Sequence, residues 1–143
     1  MTQQIFLNLP VSNLERSKTF YQALGFRPEP RFTNDRAACV VISDAIYVMI
    51  LDYDTFQGFA TLPRADTART TAALIALSRE DRAGVDAITA AALAAGGREP
   101  KPVSDLGFMY SRTFHDPDGN VFEAFWMDRE ATMAANPGEP KAS

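Results

Sequence analysis

The sequence predicts an α+β fold built from two βαβββ repeats, and three observations support this. The order strand, helix, hairpin occurs twice along the chain. Phe6 and Leu74, which open the two copies, stand about 68 residues apart. Each helix is closed by glycine, Gly25 in the first copy and Gly96-Gly97 in the second. Self-similarity at one spacing is the mark of a duplicated unit. Two such units predict two curved sheet halves side by side, forming a concave, partly open mixed sheet with helices outside.

The elements follow in order. "IFLNLPV" (Ile5 to Val11) reads as a strand, with Ser12 and Asn13 as candidate N-caps of the helix in "LERSKTFYQALGF". "AACVVIS" and "IYVMILDYD" are strand-like runs around Ser43-Asp44-Ala45, hence a hairpin. Thr55 to Thr70 reads as a loop containing Gly58 and Pro63, with Phe56 and Phe59 as an apolar lid or a subunit contact. The second copy begins with a strand in "AALIALS" and a helix from about Ala83. It ends in the strands "GFMYSRTF" and "NVFEAFW" around Asp116-Pro117-Asp118-Gly119. A further short strand is expected in each link from helix to hairpin. The division is a single domain over 1–128, with repeats at about 4–62 and 70–128, and a tail over 129–143 whose last residues have little to bury.

Composition narrows the function classes. With 143 residues, 46% hydrophobic and 22% charged, the chain has the profile of one soluble domain with its own core. A net charge of −4 and the lack of any basic run argue against a nucleic-acid partner. No apolar run approaches the roughly 20 residues of a membrane span, and the N-terminus lacks the basic and apolar regions of a signal peptide. A cytoplasmic location is therefore expected. The single cysteine, Cys39, lies in an apolar run and reads as a buried thiol.

Two motifs carry a family resemblance. "LPVSNLERSKTFYQALGF" and "DPDGNVFE" resemble the signatures of the vicinal oxygen chelate superfamily, which includes glyoxalase I, extradiol dioxygenases, and fosfomycin and bleomycin resistance proteins. The resemblance spans Ile5 to Trp126. It implies a divalent metal held in the concave sheet by ligands from equivalent strands of the two repeats, acting as a Lewis acid on substrate oxygens. Position by position, the first-strand His place is Phe6, and the second-repeat His place is Leu74. An optional Glu would fall near Met49 or Leu51. Only Glu123 matches a ligand; Asn8, on the face of Phe6, is at most a weak oxygen donor. No metal or other cofactor is expected on this count, since catalytic sites need about three protein ligands.

Glu123 is then the residue to explain. The resemblance places it on the concave side with Val121 and Phe125. A hairpin that pairs His115 with Asn120 sets Arg112 opposite Glu123 and brings Tyr110 and Phe114 to the same face. A buried carboxylate without a metal needs a partner. Arg112 and Glu123 therefore read either as a salt bridge flooring the cup or as polar groups offered to a ligand, and their effects on stability should be coupled. Glu123 is also a possible general base. His115 reads as a rim residue, Tyr47, Tyr53 and Tyr110 as cavity wall, and Asp116 and Asp118 as turn residues.

The expected cavity is lined by Phe6, Asn8, Met49, Leu51, Leu74, Tyr110, Arg112, Glu123 and Phe125. It is mostly apolar with a few polar groups, the usual form of a small-molecule site. The expected function is small-molecule binding without a metal, by a homodimer, with a partly apolar or aromatic ligand. The alternative is a metal-dependent lyase, isomerase or extradiol dioxygenase of the same superfamily.

Overall fold

A computed structural model of the chain describes residues 2–131. It contains two four-stranded mixed sheets of equivalent order. The first half runs β1 (Ile5–Val11), α1 (Leu14–Ala23), β2 (Arg27–Pro28), a 3-10 turn at Pro30–Phe32, β3 (Ala37–Ser43) and β4 (Ile46–Asp52). A helix, α2 (Tyr53–Phe59), and an extended linker follow. The second half runs β5 (Leu74–Ser78), α3 (Arg82–Ala94), β6 (Ser104–Asp105), β7 (Met109–His115) and β8 (Val121–Met127). Strand order is β1-β4-β3-β2 in one sheet and β5-β8-β7-β6 in the other. In each, the first strand lies parallel to the last and the other pairs are antiparallel. This is the α+β duplication that the sequence predicts. Of the tail expected over 129–143, everything after residue 131 lies outside the described residues.

Local chemistry accounts for the helix ends. The Asn13 side chain accepts from the Arg16 N–H at 3.0 Å, and Asp81 does the same for Gly84 at 2.7 Å, each satisfying a donor of the first turn. Gly25 and Gly96 follow the helices at positive φ, where a Cβ would be strained. α2 was not expected: 55–70 reads as loop, yet 53–59 is helical. Asp52 caps it, accepting from Thr55 N–H at 2.7 Å. Gly58 inside so short a run hides the helical pattern, because glycine is a poor helix former.

One apolar core serves both halves. The strand faces turned toward the helices supply Val11, Ala38, Val48, Ile50, Leu77, Phe122 and Ala124, and the helices supply Phe20, Tyr21, Val85, Ile88 and Ala92. α1 reaches across to the second sheet: Phe20 packs on Phe114, and Tyr21 packs edge-on against Phe122 at 5.8 Å. The alternate strand residues face away from this core, on what is termed the open face.

The Asp-Pro-Asp-Gly turn bolts the halves together. Asp116 is buried and accepts four hydrogen bonds: the Tyr21 hydroxyl at 2.6 Å, Asn120 Nδ2 at 2.8 Å, and the backbone N–H groups of Asp118 and Asn120. Burial pushes its carboxyl up, while these donors pull it back toward ionisation. Asp118 Oδ1 accepts from the Ser12 hydroxyl at 2.6 Å and from Arg16 at 3.3 Å. Thr67 of the linker donates to the Asp118 carbonyl at 2.6 Å.

Candidate ligand site on the open face

Strand alternation fixes which residues share the open face. Phe6, Asn8 and Pro10 of β1 stand beside Tyr47, Met49 and Leu51 of β4. Leu74 and Ala76 of β5 stand beside Val121 and Glu123 of β8. Phe6 is stacked on Tyr47 with ring centroids 4.5 Å apart, and Phe32 meets Phe6 edge-on. Phe6 and Leu74 are exposed, while Leu51 is buried under α2.

The register of the last hairpin corrects the expectation about Arg112. His115 pairs with Val121, not Asn120. The Asp116 N–H donates to the Asn120 carbonyl and Gly119 N–H to the Asp116 carbonyl, so the turn consumes Asn120. A slip of one residue turns every side chain of one strand to the other face. Glu123 therefore faces Thr113, and Arg112 faces Ala124 on the helix side. Tyr110, Arg112 and Phe114 do not line the open face, and Phe114 is core.

Arg112 finds its carboxylates elsewhere. Its guanidinium donates to both Glu99 oxygens at 2.8 Å and to Asp86 of α3 at 3.0 Å. Tyr110 donates to the same Asp86 at 2.6 Å. Next to them Arg82 makes a bidentate pair with Asp105 and lies over the Tyr110 and Trp126 rings. The Tyr110 hydroxyl, then Arg112, hold the Asp86 carboxyl low; Arg112 does so for Glu99; and Arg82 lowers Asp105 to about 2. These groups stay ionised in the folded chain at acidities where the unfolded chain, with carboxyls near 4, has taken up protons. Their stabilisation is present above about pH 4 and is lost as pH falls toward 2. Arg112→Met should remove the part owed to Glu99 and reduce that owed to Asp86, which the Tyr110 hydroxyl still holds low, flattening that acid limb in pH-dependent urea melts.

The same geometry reverses the coupling expected between Arg112 and Glu123. On opposite faces of the sheet, they should give additive effects on stability, whereas Arg112→Met and Glu99→Leu should be non-additive by about 1 kcal/mol or more. A double-mutant cycle for each pair measures this.

Glu123 itself is half-buried between Ala76 and Thr113. Among the described residues its side chain has no hydrogen-bond or ion-pair partner. His115 is paired by backbone hydrogen bonds with Arg98, and burial, then that arginine, lowers its imidazole. The Tyr53 hydroxyl lies 3.4 Å from Asp118 Oδ1, within the bolt between the halves.

Two cavities open beside β1. One, of about 170 Å³, lies between the halves, with walls from Pro10, Ile75 and Val121. The other, of about 410 Å³, lies against Leu51, Phe59 and Ala60. Asn8 and Phe56 border both. Phe6, Met49, Leu74, Glu123 and Phe125 share the open face but line neither. Sequence reasoning had no means of placing the linker, which supplies Ala65 and Thr67 to the smaller cavity. Pro10 was within reach, since it lies two residues beyond Asn8 in the same strand.

The donors do not fit the metal that the family resemblance implies. Phe6 and Leu74 offer only rings and methyl groups, and Met49 and Leu51 no hard donor. Glu123 has Ala76 and Thr113 for neighbours. No group of three His, Cys, Asp or Glu placed to hold a metal ion occurs among the described residues. No described helix is long and apolar enough to cross a membrane.

Comparison with known proteins agrees with this fold. The family profile described as Bleomycin resistance protein-like N-terminal matches residues 3–43. No curated protein matches the sequence. Among solved structures, a hypothetical protein, SA1046 from S. aureus, is 25% identical with a TM-score of 0.74, covering 88% of this chain and 94% of its own. A glyoxalase-related enzyme from Fulvimarina pelagi is 20% identical with a TM-score of 0.74, covering 88% of each chain. The fosfomycin resistance protein FosX from Mesorhizobium loti is 19% identical with a TM-score of 0.68, covering 93% of this chain and 98% of its own. The chain thus shares the fold of glyoxalase-related and fosfomycin resistance proteins, and its residues 3–43 are similar to the N-terminal segment of bleomycin resistance protein-like proteins.

Proposed function

We propose that the chain is a small-molecule-binding protein that works without a bound metal and holds a partly apolar or aromatic ligand on its open face. The observation that carries this reading is the pair of cavities flanking Phe56, whose walls are largely apolar and include no charged side chain. Concave, mostly apolar sites with a few polar groups are the usual form of small-molecule sites. The non-ligating side chains at Phe6 and Leu74 support it from the other side, because they leave a chelated substrate nothing to be held by.

Elemental analysis of protein purified without chelator tests the metal-free part. Well under one equivalent of iron, zinc, nickel or manganese is expected. A full equivalent, lost on Glu123→Gln, would establish the metal-dependent lyase or dioxygenase reading instead.

The same reading makes the chain a homodimer. Ile5, Phe6, Leu62 and Leu74 are large apolar side chains that stay exposed in one copy, and a second copy would cover them. Sedimentation equilibrium at micromolar concentration should return twice the chain mass; monomer alone would refute this.

One observation favours a second reading. Glu123, free of Arg112, has no hydrogen-bond or ion-pair partner among the described residues. A metal-free proton transfer by Glu123 would need a ligand that extends from the cavities along the open face, and its mark would be turnover abolished by Glu123→Gln with binding intact.

A further inference from the structure

We propose that Phe56 is the partition that sets the size of the ligand, and that the ligand is uncharged and presents a hydrogen-bond donor to Asn8. The proposal rests on the reading that the open face takes a small molecule, and it specifies which one.

Phe56 projects from α2 and borders both cavities, as does Asn8. The smaller, about 170 Å³, matches a single aromatic ring: an apolar cavity of about 150 Å³ accepts benzene. The larger, about 410 Å³, has room for a second ring. Phe56 lines both, so the two cavities meet at its side chain, and a ligand of two linked rings would have to displace that side chain to span both.

The backbone that carries the partition is held. Asp52 caps α2 by accepting from Thr55. Gln57 ties the helix to the linker, donating from Nε2 to the Leu62 carbonyl at 2.9 Å and accepting from the Arg64 N–H at 3.0 Å. The Arg64 guanidinium lies 3.5 Å from the centre of the Tyr53 ring. A truncation at 56 thus changes the cavity more than the helix, and alanine is the better helix former.

The walls set the charge. With no charged side chain lining either cavity, an ionic ligand would lose its hydration without a counter-charge in return. Asn8 is the polar group common to both. Its Nδ2 donates to the Phe6 carbonyl at 3.2 Å, which leaves Oδ1 with no donor among the described residues. A hydroxyl or N–H on the ligand completes that acceptor.

Four probes test this by titration calorimetry and amide chemical shifts: phenol, anisole, benzoate and 4-phenylphenol. The wild-type protein should bind phenol, with shifts at Asn8 and Val121. Anisole, which lacks the donor, should bind about 3- to 10-fold more weakly, and benzoate not measurably. Phe56→Ala should tighten 4-phenylphenol at least ~10-fold while phenol, which loses a wall of its cavity, binds more weakly, so that the preference between the two probes reverses. Phe56→Leu should fall between, and Asn8→Ala should bring phenol down to the level of anisole. If phenol binds the wild type but 4-phenylphenol gains nothing in Phe56→Ala, the partition is refuted and the small-molecule reading stands. Benzoate binding more tightly than phenol refutes the uncharged ligand. No binding of any probe to either protein refutes both.

Discussion

Asp116→Ala should lower stability by about 4 kcal/mol, because four donors converge on one buried carboxylate and its removal leaves them unpaired where water cannot reach. For a chain of this size that is a fall in melting temperature of roughly 10 °C. The buried donors are the Tyr21 hydroxyl, Asn120 Nδ2 and two backbone N–H groups. Two of the elements involved belong to different halves, so the loss should appear as one cooperative transition moved down, not as one half melting early. Tyr21→Phe supplies the internal control. Alone it should cost about 1–2 kcal/mol, and in the Asp116→Ala background much less, since its partner is already gone. Calorimetry on the four proteins measures both numbers. A loss under 1 kcal/mol for Asp116→Ala would mean that the turn is not the bolt between the halves.

Gly119→Ala should be nearly as damaging, for a different reason. Gly119 has a φ of +91°, and a Cβ there would lie 2.1 Å from the Thr67 carbonyl oxygen. The left-handed backbone costs about 1–2 kcal/mol, and the collision has no flexible side chain to yield, so overpacking adds roughly 1–3 kcal/mol. The linker must then lift from the turn, breaking the Thr67 hydrogen bond to the Asp118 carbonyl. Because the linker also walls the smaller cavity, ligand affinity should fall along with stability. Gly58→Ala is the matched control: it sits in α2 with nothing within 4 Å of its Cβ position. It should instead stabilise by about 0.5–1 kcal/mol in urea melts.

These effects show which levels of structure were legible in the sequence. Strand and helix order followed from apolar runs and glycine stops, so β1, both hairpins and the duplication could be read directly. Those signals are local, and each copy repeats them. The open-face positions of Phe6, Asn8, Met49 and Leu51 followed too, because alternation in a strand needs only one fixed point. What failed was the count of residues inside a turn. Asn120 is spent on closing the Asp116 turn, and one residue of slip carried Tyr110 and Arg112 from the supposed cavity to the helix face. Their true partners, Asp86 and Glu99, lie on another helix and a link, at sequence distances where no local pattern speaks. α2 was missed because seven residues with a glycine carry too little periodicity to register. With it the place of Phe56, bordering two cavities, went unread.

One titration tests directly whether the ligand is held without a metal. Phenol is titrated into the protein with and without excess chelator, while the amide resonances of Asn8, Leu51, Phe56 and Val121 are followed. The account predicts the same shifts at these residues, and the same affinity, in both samples. Binding abolished by the chelator and restored by one equivalent of a divalent metal would contradict it.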